Sequence, residues 1–356
     1  MMEEPAVGRV SEPNMNEWVV FDFPIDYMIW MENVFDPMHV DFVHNGTALT
    51  NDKFEPKNAL PVTQFRQARD SKANSGFHLS VGKFNKAGKS RLEMCFKPPS
   101  LLAQSLMVEG VLPVDVLQYF VPVRPGLLRI FFGSRAEKPT KINNGILGFF
   151  LPRALAAVAL WFRELPLLLL PSYIRLSLRH LLGPSNIKNI ANQDTSVLHS
   201  QDKQLARENW DWKRFFLPTL GDVGVAAFRR WADKFANGGP AWHRSAGKNA
   251  VEDLRHVDLF SRWEHHTQWC PTCRKSVKFL GGLEDLLPKL TWAFVAVAVG
   301  LIANTSRIAY LRVAFGALAA AAVTLLARFE VQKLRARFLT DIPSSGIPEV
   351  AHGWPS

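Results

Sequence analysis

The alternation of hydrophobic and polar positions predicts an antiparallel sheet in the first third of the chain. Residues 14–30 alternate around Trp18–Phe21, which predicts a strand. Four more short strand-like runs follow, separated by turn signals, at 76–82, 91–96, 117–123 and 127–132. Turn-forming residues at Lys86–Lys89 and Arg124–Gly126 lie where hairpin tips are expected. The pattern therefore predicts a meander of roughly five to seven strands.

After the sheet, the pattern changes to helical segments. Residues 146–182 are largely apolar but interrupted by prolines and charges, which predicts helices packed on the sheet, or a segment that dips into a membrane interface. Residues 189–209 and 224–235 predict two further helices. Near the C-terminus, apolar blocks 290–303 and 308–327 are separated by a short polar turn. They predict a transmembrane helical hairpin, the alternative being a buried hairpin in a soluble core.

Composition narrows the class of protein. The 356 residues include 42 Lys and Arg against 32 Asp and Glu, a formal charge of +10 that suits an anionic membrane surface or an acidic electron donor. The basic residues are scattered and no nucleic-acid motif occurs, so we expect no nucleic acid as partner. Three cysteines do not suit a disulfide-built secreted domain. Residues 1–13 contain three glutamates and no apolar core, which predicts a disordered tail rather than a signal or transit peptide.

The segment 33–44 contains the residues most suited to metal chemistry. His39 and His44 are five residues apart, and Asp36 lies three residues before the first of them. Two imidazoles and one carboxylate form the facial triad of mononuclear iron sites, although two histidines at this spacing also occur by chance. In a continuous helix they would lie about 140° apart around the axis, so the helix must end or bend between them. Asn45-Gly46 predicts such an end.

The longer pattern Asn-x-x-Asp-x-x-His-x4-His, running from Asn33 to His44, resembles the iron-site signature of Rieske-type oxygenases. The flanking Glu32 and the run Asp36-Pro37-Met38-His39-Val40 are similar to the chloroplast group that includes pheophorbide a oxygenase. The resemblance implies that His39 and His44 bind Fe(II). It implies that Asp36 hydrogen-bonds the first histidine and carries electrons to it, and that Asn33 lies near the open iron position. The alternative for Asn33 is a cap at a helix start.

A third iron ligand is implied by a segment distant in sequence. Residues 191–201 resemble the family's Gln-Asp segment, which makes Asp194 the expected ligand and Asp202 the second choice. Without the resemblance, an exposed helix carboxylate would be the default interpretation of Asp194. His180 and His199 are expected to be surface or packing residues.

The C-terminal half carries a second resemblance to the same group. It covers residues 215–219, 227–231 and 266–273, followed by the apolar hairpin. It implies that Cys270 and Cys273 form a thioredoxin-responsive redox dithiol. A zinc site would need two more ligands; Cys95 is the only other cysteine, although His265 and His266 are close in sequence. Inert thiols are the third alternative.

The electron-transfer cluster of the family is not encoded in this sequence. A Rieske [2Fe–2S] cluster needs two cysteines and two histidines, which the family supplies as Cys-x-His and Cys-x2-His. Neither motif occurs here. We therefore expect a truncated sequence, a cluster on a separate polypeptide, or a paralogue that has become a binding protein.

The resemblance implies an α+β fold of the helix-grip (START-like) kind, in which a curved antiparallel sheet wraps a long helix. The expected domains are a tail at 1–13, a catalytic domain at 14–280, a transmembrane hairpin at 286–328 and a polar tail at 329–356. The expected function is O2-dependent oxygenation of a tetrapyrrole such as a pheophorbide a-like chlorophyll catabolite. The alternatives are a non-catalytic, membrane-anchored tetrapyrrole-binding or translocon-associated module, and a soluble START-like lipid carrier.

The expected partners follow from the same resemblance. Electrons would come from ferredoxin through a Rieske-bearing chain, and the assembly could be a homotrimer. The location would be the thylakoid or inner-envelope membrane of the chloroplast. Basic residues flank the hairpin, which predicts a catalytic domain facing the stroma; they are Lys289, Arg328, Lys333, Arg335 and Arg337.

Overall fold

The computed structural model of the chain describes residues 17–43, 62–67, 75–85, 88–108, 114–136, 171–182, 185–245, 251–303 and 308–341. The strands are β1 (Glu17–Phe23), β2 (Val62–Gln67), β3 (Phe77–Asn85), β4 (Gly88–Lys97), β5 (Leu101–Val108), β6 (Val114–Arg124) and β7 (Leu127–Ala136). The helices are α1 (Tyr27–Phe35), α2 (His39–Val43), α3 (Ser172–Leu182), α4 (Ser185–Arg207), α5 (Val223–Phe235), α6 (Trp242–Ser245), α7 (His256–Leu259), α8 (Pro271–Ala303) and α9 (Ile308–Leu339).

The described residues fall into two units. The first contains the sheet with α1, α2, α5, α6, α7 and α4 from Asn186 onward. The second contains α3, α8 and α9. The mixture of helices and antiparallel sheet predicted from the sequence is confirmed. The finer helix-grip arrangement stays a prediction.

The sheet of the first unit is antiparallel throughout, with the order β1-β7-β6-β5-β4-β3-β2. The turn between β6 and β7 contains Gly126, whose positive φ of 65° is open to glycine but strained for other residues. This hairpin was predicted at 124–126 and is confirmed.

One face of the sheet forms the core with the helices. Alternate residues of a strand point to the same face, and Val19, Phe21 and Phe23 of β1 are all buried in this core. The apolar side chains of α1, α4 and α5 complete the cluster, among them Phe35 and Phe228. A buried face built this way fixes the strand register, because a one-residue slip would expose every apolar side chain.

Strand β1 ends earlier than predicted, and strands β2 and β5 were not predicted as separate runs. The strand predicted over 14–30 ends at Phe23, because the side chain of Asp26 accepts a hydrogen bond from the Met28 backbone N at 3.0 Å and starts α1. Strand β5 was missed because it lacks clear alternation. Leu102 is buried in the main core, while the adjacent Ala103 packs in a small cluster with Leu117.

The prediction of helices at 146–182 concerns residues that lie mostly outside the described ranges. The described part, α3, belongs to the second unit. The prediction had instead placed it on the sheet, which belongs to the first unit. It packs on α8, and the hydroxyls of Ser177 and Ser276 are 2.7 Å apart in a hydrogen bond.

The predicted C-terminal hairpin corresponds to α8 and α9, both longer than the apolar blocks. Thr291 and Thr324 are hydrogen-bonded across the pair at 2.8 Å, and Glu284 accepts a hydrogen bond from Arg335 at 2.7 Å. Both helices are long and apolar enough to cross a membrane, by length and composition. Their apolar side chains are largely exposed, with Trp292 at 72% and Phe315 at 70%. Such exposure suits helices that face lipid.

Candidate metal centre

A cavity of about 440 Å³ in the first unit collects the predicted iron ligands His39 and Asp194 together with the predicted catalytic residues Asn33 and Asp36. From α4, the cavity also takes Val197, Leu198 and Gln201, which follow Asp194 at the spacing of one helix face. Segments that are far apart in the sequence therefore converge on one space.

A turn between α1 and α2 orients His39. The carboxylate of Asp36 accepts a hydrogen bond from the Met38 backbone N at 2.8 Å, a local Asx-type turn that stops α1 and starts α2. The Nδ1 of His39 is hydrogen-bonded to the backbone carbonyl of Asp36. A histidine that donates from Nδ1 to a carbonyl presents its other ring nitrogen, Nε2, to a metal. In the structure it is thus the carbonyl of Asp36, and not the carboxylate, that holds the Nδ1 of this ring.

Asp194 lies near the Nε2 edge of that ring. Its Oδ1 is 3.8 Å from Nε2 of His39, and the side chains are only 5% and 15% exposed. The default interpretation of Asp194 as an exposed carboxylate is therefore wrong. An imidazole nitrogen and a buried carboxylate oxygen at this separation are two donors of the kind that a facial triad requires. His44, the third predicted ligand, lies outside the described residues.

Asn33 lies in the last turn of α1, so the alternative of a cap at a helix start is wrong. The cap is Asp26. Burial raises the pKa of the Asp36 carboxyl at the other end of the helix, and the nearby His39 opposes that rise. The carboxyl of Asp36 is thus less readily ionised than an exposed aspartate while no ion is bound.

Helix α1 is supported by an ion pair that the sequence does not predict. Arg229 of α5, with a side chain 1% exposed, donates from Nε to the carboxylate of Glu32. Burial raises the pKa of Glu32, and Arg229 lowers it in part. Glu32 also lines the cavity, so the pair fixes one wall of it. A contact between residues this far apart in the sequence requires the tertiary fold and has no local signal.

Asp202, the second choice as a ligand, is engaged elsewhere, and His199 has a packing role. Asp202 accepts a hydrogen bond from the Asp26 backbone N at 2.8 Å, and it does not line the cavity. His199 is buried, with its Nδ1 3.1 Å from the Pro24 carbonyl oxygen, as expected for a packing residue.

The dithiol lies in the second unit, at the start of α8. Cys270 and Cys273 are free thiols, and the Cys273 thiol is fully buried. A hydrogen bond from Cys273, together with His180 and His266, lowers the pKa of Cys270. His180 was expected to be a surface or packing residue, yet its ring contacts both thiols. Sequence spacing does not indicate this contact, because His180 belongs to a different helix.

Curated relatives match most of this chain. Flavonoid 8-hydroxylase 2 of Ocimum basilicum, a chloroplast protein, is 26% identical over 86% of this chain and 54% of its own length. Pheophorbide a oxygenase of Oryza sativa subsp. japonica is 24% identical over 83% of this chain and 51% of its own length. Protochlorophyllide-dependent translocon component 52 of Arabidopsis thaliana is 22% identical over 80% and 52%.

These relatives are chloroplast Rieske-type non-heme iron oxygenases, which are oxidoreductases, and the resemblance stated from the sequence is confirmed. The chain spans about half of the length of the relatives that it matches. No family model matches the chain. Among solved structures, NdmA of Pseudomonas putida CBB5 aligns with a TM-score of 0.38 and 14% identity, over 70% of this chain and 58% of its own.

Proposed function

We propose that this chain is the catalytic portion of a Rieske-type oxygenase, with a mononuclear iron held by His39, His44 and Asp194. The observation that carries the proposal is the approach of His39 Nε2 and Asp194 Oδ1 to 3.8 Å inside a cavity. When bound, a ferrous ion supplies open positions at which O2 and an organic substrate meet.

The residues around that pair have supporting roles. The carbonyl of Asp36 holds the ring of His39 in one orientation, which keeps Nε2 directed at the site. Ile29, Val197 and Leu217 give the cavity apolar surface that suits a hydrophobic ring system. Asn33 and Gln201 are polar groups at the same cavity, suited to orient substrate oxygens.

The substrate that we propose is a tetrapyrrole of the pheophorbide a type. Its support is the relative named pheophorbide a oxygenase, together with the apolar lining. A second candidate is a flavonoid, favoured by the relative named flavonoid 8-hydroxylase 2, whose identity to this chain is 26%. Both are planar ring systems, and the described cavity of about 440 Å³ is within the range of small-molecule sites.

We propose further that electrons come from ferredoxin through a Rieske [2Fe–2S] cluster that the given sequence does not encode, and that they pass through Asp36 to His39. The chain would be anchored by α8 and α9 in the thylakoid or inner-envelope membrane, with its catalytic unit facing the stroma, and would assemble as a homotrimer. The support is the chloroplast location of the relatives and the length and apolar composition of the two helices.

The test is the iron content of the full chain, reconstituted with Fe(II) without oxygen in detergent. Wild type is expected to bind about one iron per chain, and His39→Ala, His44→Ala and Asp194→Asn to bind none. The matched control is Asp202→Asn, a second buried aspartate of α4 that does not line the cavity. Nitric oxide, added as a spin probe, should give an electron paramagnetic resonance signal only in the proteins that retain iron.

Substrate choice is tested by titrating pheophorbide a and a flavone into the iron-loaded protein and following tryptophan fluorescence. Tight binding of one and not the other selects the substrate class. If wild type binds no iron but still binds pheophorbide a, the oxygenase proposal is refuted and a non-catalytic tetrapyrrole-binding module remains. Equal iron in wild type and Asp194→Asn would refute the proposed ligand set.

A further inference from the structure

Two histidines and two cysteines of the second unit bring four metal-binding atoms together. They are His180 of α3, His266, and Cys270 and Cys273 at the start of α8, and their ligand atoms all lie within 4.8 Å of one another. Imidazole nitrogen and thiolate sulfur are the donors that zinc prefers, whereas calcium and magnesium require oxygen. The donor set is therefore the Cys2His2 set of structural zinc sites.

The separations suit one ion bound tetrahedrally. Zn–S bonds of about 2.3 Å and Zn–N bonds of about 2.0–2.1 Å place a nitrogen and a sulfur on one zinc about 3.6 Å apart. His180 Nδ1 is 3.6 Å from Cys270 Sγ and 3.5 Å from Cys273 Sγ. His266 Nε2 is 3.3 Å from Cys273 Sγ. A small increase in the distance between His266 Nε2 and Cys273 Sγ would complete a tetrahedral arrangement of the four donors.

The same separations disfavour a Rieske cluster, which also uses two cysteines and two histidines. In that cluster the cysteines bind one iron and the histidines bind the other. Nitrogen and sulfur donors would then be held apart by two iron atoms. The ring of His180 instead approaches both sulfurs, which is the arrangement of ligands around a single ion.

Local structure places the four donors. Residues Trp263–Thr267 form a π-helix, a rare turn that is frequent at functional sites, and it contains His266. Cys270 and Cys273 follow at spacings of four and three residues, within one to two helical turns. The backbone N of Cys270 donates to the His266 carbonyl at 3.1 Å, which joins the π-helix to α8.

A neighbouring hydrogen bond aligns α3 with α8. Ser177 and Ser276 are bonded at 2.7 Å, and both hydroxyls are buried. Ser177 lies three residues before His180, and Ser276 lies three residues after Cys273. Residues three apart occupy the same helix face, so this bond holds the histidine of one helix against the cysteine of the other.

Two of the four groups are deeply buried, and Cys270 is half-buried. Cys273 is 0% exposed and His266 is 4% exposed. The buried Arg262, whose Nη1 is 3.0 Å from Asp341 Oδ1, also donates from Nη2 to the His180 carbonyl at 2.8 Å. Two thiolates, two neutral imidazoles and one divalent cation have zero net charge, which is the condition that a buried site favours.

We propose that His180, His266, Cys270 and Cys273 bind one structural Zn²⁺, which joins α3 and the π-helix to the start of α8. Four protein ligands leave no open coordination position on the zinc. The site therefore stabilises the fold and does not catalyse a reaction. The site replaces the thioredoxin-responsive dithiol as the role of the Cys-x-x-Cys pair. It is independent of the iron centre proposed above.

The experiment measures zinc in the full chain, purified in detergent with a reductant and without chelators. Wild type is expected to contain about one zinc per chain, and His180→Ala and Cys273→Ser to contain none. The matched control is Cys95→Ser, a half-buried cysteine of β4 outside the cluster, which should keep its zinc. Chelation of wild type should make two further thiols reactive, and added zinc should protect them again. That measurement needs no variant and stands even if a variant fails to fold.

Three outcomes would overturn the proposal. Wild type without zinc, whose Cys270 and Cys273 oxidise reversibly to a disulfide, would identify a redox dithiol. Iron with the visible spectrum of a [2Fe–2S] cluster would identify a cluster. Zinc retained by both His180→Ala and Cys273→Ser would place the ion elsewhere. His39→Ala should lose iron and keep zinc, whereas His180→Ala should do the reverse, so the two proposals fail separately.

Discussion

Removal of Arg229 should be among the most damaging single changes in the first unit. Arg229→Met leaves the carboxylate of Glu32 in a buried position without its cation. Breaking a buried ion pair by removing one partner costs about 3–5 kcal/mol of the free energy of unfolding. Glu32→Gln/Arg229→Met removes both charges and should recover most of that loss, because the remaining amide and thioether need no compensating charge.

The pH dependence separates this mechanism from simple loss of packing. Burial already raises the pKa of Glu32 in the folded chain, and Arg229 lowers it. Without Arg229 the folded pKa rises further above that of the unfolded chain. A raised carboxyl pKa gives a fold that is most stable at acidic pH and loses stability as the pH rises through the folded pKa. The destabilisation by Arg229→Met should therefore be larger at about pH 8 than at about pH 5.

The assay is thermal unfolding of the full chain in detergent, followed by circular dichroism at both pH values. The matched control is Arg230→Met, the exposed neighbour on the same helix, which should change stability by no more than about 0.5 kcal/mol. If Arg229→Met and Arg230→Met unfold alike, the ion pair contributes nothing. If the loss caused by Arg229→Met is equal at both pH values, it arises from packing and the electrostatic reasoning is wrong.

Three further outcomes are expected. Burial and Asp26 raise the pKa of Asp202 from 3.8 to about 8. Between those values this group should lower the free energy of unfolding by about 1.4 kcal/mol per pH unit, because the unfolded chain releases its proton. Proton release on unfolding, compared with Asp202→Asn, measures the effect, and equal slopes for the two proteins would contradict it. Gly224→Ala places a Cβ 2.7 Å from the Phe35 carbonyl and should cost about 1–3 kcal/mol in thermal unfolding, with Gly282→Ala, in open space, as control. The full chain should stay with membranes through an alkaline carbonate wash, because α8 and α9 are long and apolar enough to span; release into the supernatant would refute the anchor.

The sequence by itself determined the element types wherever a strong local pattern exists. Period-two alternation predicted β1, because a sheet with one buried face forces every second residue to be apolar. Short strand-like runs separated by turn residues predicted β3, β4, β6 and β7. Long apolar blocks predicted α8 and α9, and turn residues predicted the β6–β7 hairpin. Strand β5 escaped prediction because both of its faces pack against apolar neighbours, which removes the alternation.

The donor residues of the first unit were chosen by resemblance, and their proximity was decided by the fold. No local rule brings Asp194 to His39; packing of α1 and α4 in one core does. The ion pair of Glu32 with Arg229 and the contact of His180 with Cys273 are likewise long-range. Sequence patterns report interactions between residues a few positions apart, whereas donor geometry depends on distances set by the whole core. The tertiary structure added His180 to His266, Cys270 and Cys273, which are close in sequence, and so completed a cluster of four donors.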